Sequence, residues 1–254
     1  MVSTLAMSLT LYVRLALAVV RSISTHISWT DPNSDPDPEE EAAFKTTEVG
    51  HFEKTKFSVH SGRTVVKVGT QHATPVREIV MPSQYLVHVI DILDIIAALS
   101  PDGLYQTEKY SRCITPATIT GTLLMCAGAA IRVLAYRALG QLFTFRLSIR
   151  KDHHLITTGP YAVVRHPSYS GAMLYLIGTG VALLGPRSVY SELGLWRKPY
   201  WNAVGAIDAV MLIFVYSAGI MRMYEEDRVM REQFKDEWTE WAKRTPYKII
   251  PYIW

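Results

Sequence analysis

The chain has 254 residues, a formal net charge of +3 and 49% hydrophobic residues. A small positive charge that is spread over short loops excludes a nucleic-acid-binding surface. The hydrophobic residues lie in several apolar stretches, whereas residues 31–82 are polar and acidic; this segregation is typical of a membrane protein. Cys113 and Cys126 have no metal-ligand spacing and no nearby histidine, so we expect no metal site.

The first apolar stretch, residues 5–20, is interrupted by Arg14. It is short for a hydrocarbon core of about 30 Å, which needs roughly 20 residues. The stretch is also compatible with a targeting peptide, because it carries Arg14 and Arg21, several serines and no acidic residue before Asp31. We treat residues 1–30 as an N-terminal hydrophobic segment, and we favour a first transmembrane helix.

Residues 31–82 are predicted to form a polar insert or linker. The stretch DPNSDPDPEEEAAF combines proline with acidic residues and has no apolar period. Within this insert, residues 57–69 are compatible with a short strand. Residues 83–254 then form the main membrane domain.

Four further apolar stretches predict membrane-spanning helices, at residues 85–99, 114–139, 169–184 and 203–221. The sequence thus predicts an all-α fold: a polytopic membrane helix bundle with about five transmembrane helices and a C-terminal amphipathic helix. Small residues such as Gly121, Gly128 and Gly171 suit close helix packing. Asp91 and Asp94 lie in the second span and should face other helices or water.

Two predicted spans separate the loop of residues 140–168 from the tail of residues 222–254. An even number of crossings returns the chain to the same side, so we expect loop and tail to face each other at one membrane surface. The loop is rich in arginine and lysine, and the positive-inside bias places this surface in the cytosol.

The loop ends in the motif RHPSY, residues 165–169, where a predicted span begins. Backbone N–H groups at a helix start attract anions, and Arg165 adds a positive charge. In the tail, Arg222 and Glu226 are four residues apart and share a helical face. Each residue alone fits an interface anchor or an ion pair, but together they favour a ligand site. The tail also predicts an amphipathic helix, from the helical spacing of Met223, Met230, Phe234, Trp238 and Trp241. The residues after Pro246 are expected to fold back on the bundle.

The sequence contains the segment GPYAVVRHPSYSG, then a glycine-rich span, then Arg222 and Glu226, and finally an aromatic helix ending in TPYKIIP. Together these features resemble the isoprenylcysteine carboxyl methyltransferase family. The resemblance covers about residues 115–254. It implies a multi-pass helical enzyme of the endoplasmic reticulum membrane, with its active site facing the cytosol, that binds S-adenosylmethionine between loop and tail. It also implies methylation of the terminal carboxylate of a prenylated cysteine. The expected partners are a prenylated protein or a lipophilic small-molecule substrate, and the lipid bilayer.

Carried over onto matching positions, the resemblance implies a set of cofactor-binding residues and a catalytic pair. The cofactor-binding set is Gln141, Leu155, Ile156, Thr157, Gly159, Tyr161, Arg165, His166, Pro167, Tyr169 and Glu226. The catalytic pair is Arg222 and Glu226. Our hypothesis is that Arg165 and His166 hold the cofactor carboxylate, that Glu226 binds its amine or ribose, and that Arg222 orients the substrate carboxylate.

Three features depart from the family pattern. The usual pair of glutamates aligns best with Glu226 and Asp227, which leaves Glu225 or Asp227 as the second acid. Lys235 stands where a glycine is usual. The N-terminal half has no clear counterpart, so the prenyl-binding part of the site is not defined.

Three other functions fit the same features less well. A methyltransferase of this architecture could use a phospholipid amine or a small lipophilic acid or phenol. An amine or phenol acceptor would need a base such as His166, Tyr169 or Glu226. The C-terminal YKIIPY also resembles NADPH-dependent sterol-type membrane reductases. A membrane scaffold without activity would bind neither cofactor.

Overall fold

The computed structural model of the protein describes residues 2–33, 73–99, 114–145, 154–185, 191 and 199–253. These residues form helices, turns and loops and contain no strand, which confirms the all-α prediction for this part of the chain. The strand suggested at residues 57–69 lies outside the described residues.

Five α-helices account for most of the described chain. They are α1 (Val2–Trp29), α2 (Ala73–Leu99), α3 (Pro116–Leu139), α4 (Pro167–Leu184) and α5 (Pro199–Arg244). Short 3₁₀ turns lie at Gly140–Leu142 and Gly159–Ala162, between α3 and α4. Each of the five predicted spans falls within one of these helices.

Helices α1, α2 and α5 extend well beyond their predicted spans. α1 ends at Trp29, whereas the first span was predicted to end at residue 20. α2 begins at Ala73, inside the segment predicted to be a polar insert, and it continues through Pro82, although a proline removes one helical hydrogen bond and often marks a helix boundary. α5 joins the fifth predicted span and the predicted tail helix in one element.

Lys235 interrupts the regular geometry of α5. Its φ is +46° and its ψ is −110°, in a left-handed region that a residue with a Cβ adopts only with strain. A glycine would meet no such penalty. The usual glycine at this position therefore has a conformational reason.

The chain divides into two compact units. Unit 1 comprises Met1–Thr30, Ile79–Arg132 and Gly171–Phe214, and unit 2 comprises Asp31–Glu78, Val133–Ser170 and Val215–Trp254. Unit 1 has an apolar cluster of Leu11, Ala18 and Ile95. Unit 2 has a cluster of Ala135, Tyr161 and Trp241, and Ala138, Leu139, Leu155, Ile156 and Trp238 pack against it.

Unit 1 buries charged side chains between α1 and α2. Arg14 and Arg21 approach the two carboxylate oxygens of Asp91, with 3.0 Å between Arg14 Nη2 and Asp91 Oδ1. All three residues are at most 4% exposed. The prediction that Asp91 faces a neighbouring helix is confirmed; the side chain of Asp94 lies outside the described part.

A second polar group in unit 1 is centred on Thr25 of α1. Its Oγ1 lies 2.9 Å from His88 Nε2 of α2 and 2.8 Å from Tyr175 Oη of α4. It also donates to the backbone carbonyl of Arg21. These bonds tie α1, α2 and α4 together through fully buried polar atoms.

Helices α3 and α4 meet at paired glycines. A Cβ added at Gly121 would lie 2.7 Å from the carbonyl oxygen of Gly178, and one at Gly128 would lie 2.5 Å from that of Gly171. Such distances leave no room for a side chain, so the predicted close packing of small residues is confirmed here.

Two segments, Pro116–Leu142 and Pro167–Leu184, are long and apolar enough to cross a membrane by length and composition. They correspond to the third and fourth predicted spans. Among the described residues no other helix meets this measure, so the predicted count of about five transmembrane helices is not confirmed.

Candidate functional site

The loop before α4 is shaped by a glycine and two prolines. Gly159 has a φ of +60°, which favours glycine, and Pro160 follows it in a 3₁₀ turn that ends at Ala162. Tyr161 in this turn is buried, and its carbonyl accepts a hydrogen bond from Trp241 Nε1 at 3.1 Å. Pro167 then begins α4, a position at which its missing N–H costs nothing.

The tail after α5 lies along this loop. Arg165, His166 and Ser170 donate hydrogen bonds of 2.6–3.1 Å to five consecutive tail carbonyls. The acceptors are the carbonyl oxygens of Thr245, Pro246, Tyr247, Lys248 and Ile249. The predictions that loop and tail meet and that the last residues fold back are both confirmed.

Asp227 of α5 contacts Arg165, Lys248 and the imidazole of His166. Its Oδ2 lies 3.2 Å from Arg165 Nη2 and 3.2 Å from Lys248 Nζ, and its Oδ1 lies 2.9 Å from His166 Nε2. Burial alone would raise the pKa of the Asp227 carboxyl. The hydrogen bond and charge of His166, together with Arg165, outweigh that effect and lower the pKa below its ordinary value.

Tyr169 stands between Arg222 and Glu226. Its hydroxyl donates to Glu226 Oε2 at 2.9 Å and accepts from Arg222 Nε at 3.0 Å. Within the described part of the chain, no further partner engages the Nη atoms of Arg222 or Oε1 of Glu226. Among the described residues, the Nη atoms of Arg222 and the Oε1 atom of Glu226 are therefore available to a ligand.

The geometry also distinguishes the three consecutive acids of α5. Glu225 pairs with Arg228 on the exposed side of the helix, with 3.3 Å between Oε2 and Nη1. Glu226 contacts Tyr169 at the start of α4, and Asp227 contacts Arg165 and His166 of the loop. Of the two acids that the sequence left open, Asp227 is therefore the one that contacts predicted site residues.

The remaining predicted residues occupy several environments. Leu155 and Ile156 pack against the cluster of Tyr161 and Trp241. Thr157 is half-buried and Gly159 is exposed on the same loop, whereas Pro167 is buried at the start of α4. Gln141 lies exposed on the turn that follows α3.

Two buried donors beside this loop have no hydrogen-bond partner among the described residues. They are Arg165 Nε and Trp238 Nε1. The guanidinium carbon of Arg165 lies 5.7 Å from the centroid of the Trp238 ring, and Trp238 packs on the same cluster as Leu155 and Ile156. Unpaired buried donors are costly, so a ligand that offers acceptor atoms would fit here.

A sequence model of the isoprenylcysteine carboxyl methyltransferase (ICMT) family matches residues 121–196. The resemblance to the ICMT family is confirmed. The matched residues include the loop, the motif RHPSY and helix α4.

Several curated proteins with ICMT names are similar to this chain. Protein-S-isoprenylcysteine O-methyltransferase B of Arabidopsis thaliana is 28% identical over 135 residues, which is 52% of this chain and 58% of that relative. The human protein-S-isoprenylcysteine O-methyltransferase is 32% identical, over 55% of this chain and 43% of the relative. The Saccharomyces cerevisiae protein of the same name is 38% identical, over 35% of this chain and 38% of the relative. The chain thus spans less than two thirds of these relatives, and no solved structure matches it.

Lys248 and Trp238 contact residues of the candidate site and were missed by sequence reasoning. Lys248 contacts Asp227, and its Nζ lies 3.6 Å from the centroid of the Tyr224 ring. The sequence did contain a signal for Lys248, because it is the one charged residue in the final segment TPYKIIPYIW. Among the described residues no group of three or more His, Cys, Asp or Glu could hold a metal ion.

Proposed function

We propose that the protein is a membrane methyltransferase that transfers a methyl group from S-adenosylmethionine to the carboxylate of a prenylated cysteine. The observation that carries the proposal is Arg222. Its Nη atoms have no partner among the described residues and lie beside Tyr169 and Glu226, in a chain that resembles the ICMT family. The named relatives are methyltransferases, so the reductase and scaffold alternatives are not favoured.

The distribution of apolar side chains supports five membrane crossings. α1, α2 and α5 expose large apolar residues while α1 and α2 bury Arg14, Arg21 and Asp91. The exposed residues include Leu9, Tyr12, Ile23, Leu86, Leu93, Ile207, Val210 and Ile213. Buried charge beneath an apolar surface reverses the pattern of a soluble protein and suits helices surrounded by lipid. The cytosolic side follows from the positive charge of the loop, and the endoplasmic reticulum follows from the family resemblance.

The charged atoms around Asp227 hold the site together in this proposal. Nη1 and Nη2 of Arg165 and Nε2 of His166 are engaged by tail carbonyls and by Asp227. We therefore assign Arg165, His166, Asp227 and Lys248 to the clasp that fixes the tail on the loop. This modifies the hypothesis that Arg165 and His166 hold the cofactor carboxylate: among the described residues Arg165 Nε has no hydrogen-bond partner and remains a donor for that bond.

S-adenosylmethionine fits the groups left available. Trp238 Nε1 and Arg165 Nε are unpartnered donors for its acceptor atoms, and Oε1 of Glu226 is a free acceptor for its amine. When bound, it supplies an electrophilic methyl group on a sulfonium. Leu155 and Ile156 line the same loop with apolar surface and help to exclude water.

Arg222 orients the acceptor in the proposed reaction. A carboxylate is already ionised at neutral pH, with a reference pKa of about 3.5, so no general base is required. It must be held in line with the methyl group and freed of water. The planar guanidinium of Arg222 matches a carboxylate through two parallel hydrogen bonds.

Tyr169 keeps the charges of Arg222 and Glu226 apart. If these side chains formed a direct ion pair, each would neutralise the other and neither would be free for a ligand. The neutral hydroxyl takes one bond from Arg222 and gives one to Glu226. This leaves the outer atoms of both residues available.

The proposal is tested with labelled S-adenosylmethionine and a farnesylated cysteine analogue, supplied to membranes that contain the protein. We expect label in the analogue, and we expect Arg222→Ala to lower kcat/KM for the acceptor by about 100-fold, since one charged hydrogen-bonded contact contributes roughly 3 kcal/mol. Arg228→Ala is the matched control, because Arg228 lies on the same helix but pairs with Glu225 on the exposed side.

Full activity of Arg222→Ala would overturn the assignment of Arg222. Absence of label in the analogue would overturn the acceptor, and transfer to a phospholipid amine or a lipophilic phenol in the same assay would identify the alternative substrate class.

A further inference from the structure

The short segment that follows α1 is bonded to the turn that follows α3. Asn33 Nδ2 donates to the carbonyl oxygens of Gly140, at 2.8 Å, and Phe143, at 2.9 Å. Asp31 Oδ2 accepts the backbone N–H of Phe145 at 3.2 Å. Asp31 and Asn33 lie outside residues 115–254, the part of the chain that resembles the ICMT family.

Asp31 also sets the geometry of Asn33. Its Oδ1 accepts the backbone N–H of Asn33 at 3.0 Å, which closes an Asx turn. Both partners of the Asn33 side chain are carbonyl oxygens, so only the amide nitrogen can face them. The segment therefore presents donors and an acceptor that complement this turn.

The turn at residues 140–145 carries the chain out of α3, which ends at Leu139. Gly140 has a φ of +56°, and its carbonyl accepts the Phe143 N–H at 3.3 Å within the turn, so Asn33 adds a second donor to this carbonyl. The other side of the turn is held by aromatic contacts. The Phe143 ring lies 4.2 Å from that of Tyr136 and 5.4 Å from that of Phe145, between centroids.

The turn adjoins the candidate site. Ala138 and Leu139, directly before it, pack on the cluster of Tyr161 and Trp241. Gln141 lies on the turn, with its side chain exposed, and it is one of the residues expected to bind the cofactor.

We propose that Asp31 and Asn33 are positioning residues that hold the turn of residues 140–145 so that Gln141 reaches S-adenosylmethionine. They act through the turn and do not touch the reacting atoms. The inference rests on the proposed function, and it gives the N-terminal part of this chain a role in cofactor affinity.

The experiment measures KM for S-adenosylmethionine and for the farnesylated acceptor in Asn33→Ala, Asn33→Asp and Pro32→Ala. Asn33→Ala removes two hydrogen bonds, so we expect KM for S-adenosylmethionine to rise about tenfold, with unchanged KM for the acceptor and unchanged kcat at saturating cofactor. Asn33→Asp keeps the shape of the side chain but has no donor, so its KM for S-adenosylmethionine should rise at least as much. Pro32→Ala, at an exposed position between the two residues, should behave as wild type.

A second readout separates positioning from general stability. S-adenosylhomocysteine should raise the Tm of Asn33→Ala less than that of wild type, while the two ligand-free proteins unfold at similar temperatures. If Asn33→Ala does not fold, Asp31→Asn removes one of the two acceptor oxygens that receive the N–H groups of Asn33 and Phe145, with an expected rise in KM for S-adenosylmethionine of about fivefold.

Three results would overturn the inference. One is an unchanged KM for S-adenosylmethionine in the folded variants, and another is an equal rise in both KM values together with a lower ligand-free Tm. If wild type itself does not bind S-adenosylmethionine, the proposed function fails and this inference fails with it; the first two results leave the proposed function standing.

Discussion

Asp227 is the residue on which the meeting of loop and tail depends. One carboxylate satisfies Arg165 and His166 from the loop and Lys248 from the tail. Removal of one partner from a buried ionic group leaves charge without compensation and commonly costs about 3–5 kcal/mol. The contribution of Asp227 should therefore be visible in both stability and its dependence on pH.

We expect Asp227→Asn to unfold at a markedly lower temperature than wild type, because its free energy of unfolding should be lower by about 3 kcal/mol. Because the pKa of the Asp227 carboxyl is lowered in the folded protein, its stabilisation is present above the unfolded pKa of about 4. The stabilisation is lost as pH falls through the lower, folded value. Thermal unfolding in detergent, followed from neutral pH to about pH 3, measures this acid-dependent loss.

Glu225→Gln is the control for Asp227, since Glu225 belongs to an exposed pair on the same helix. The free energy of unfolding of Glu225→Gln should be less than about 1 kcal/mol below that of wild type. An Asp227→Asn variant as stable as Glu225→Gln, with the acid dependence of wild type, would contradict the central role of Asp227.

At the scale of elements, α5 carries both a long apolar segment and the acids of the site, and Lys235 bends it at one residue. Replacing Lys235 by glycine should relieve the strain of its positive φ, which is roughly 1–3 kcal/mol. The greater freedom of glycine in the unfolded chain offsets roughly 0.5–1 kcal/mol of that gain.

We therefore expect Lys235→Gly to be about 1 kcal/mol more stable than wild type, as measured by Tm or by denaturant midpoint. Lys235→Ala is the matched control, because alanine removes the charge and keeps the Cβ that causes the strain. Equal gains in the two variants would attribute the effect to charge instead of backbone conformation.

The sequence predicted the elements better than it predicted their contacts. Long apolar stretches located the five helices, and the prediction that loop and tail meet is confirmed. The choice among Glu225, Glu226 and Asp227 was beyond sequence reasoning, since successive residues of a helix point about 100° apart. Which of these acids faces Tyr169, Arg165 and His166 depends on how α5 packs within unit 2, which no local pattern reveals. The hydrogen bonds of Asn33 were missed for a similar reason: their partners lie more than 100 residues away in the chain.

At the scale of the whole molecule, α1 is bonded into unit 1 and is not an appended segment. Arg14 and Arg21 pair with Asp91 of α2, and Thr25 contacts α2 and α4. Cleavage of α1 as a targeting peptide would leave Asp91 buried without these cations. The ion pairs with Asp91 therefore give α1 a structural role in unit 1.

We expect Asp91→Ala to destabilise the protein by about 3–5 kcal/mol, because two buried arginines lose their shared carboxylate. Leu93→Ala is the control on the same helix; Leu93 is 59% exposed, and its truncation should cost less than about 1 kcal/mol. Thermal unfolding of both variants in the same detergent measures the difference. Similar stability of the two would show that α1 does not depend on this ion pair.

The glycine contacts between α3 and α4 limit where a lipid chain can enter. At Gly121 with Gly178 and at Gly128 with Gly171 the two backbones touch, and no side chain lies between them to swing aside. Rotamer changes, which are fast and cheap, therefore cannot open a passage at this contact. If the acceptor carries a prenyl chain, as we propose, that chain has to enter from the bilayer at a place other than this α3–α4 contact.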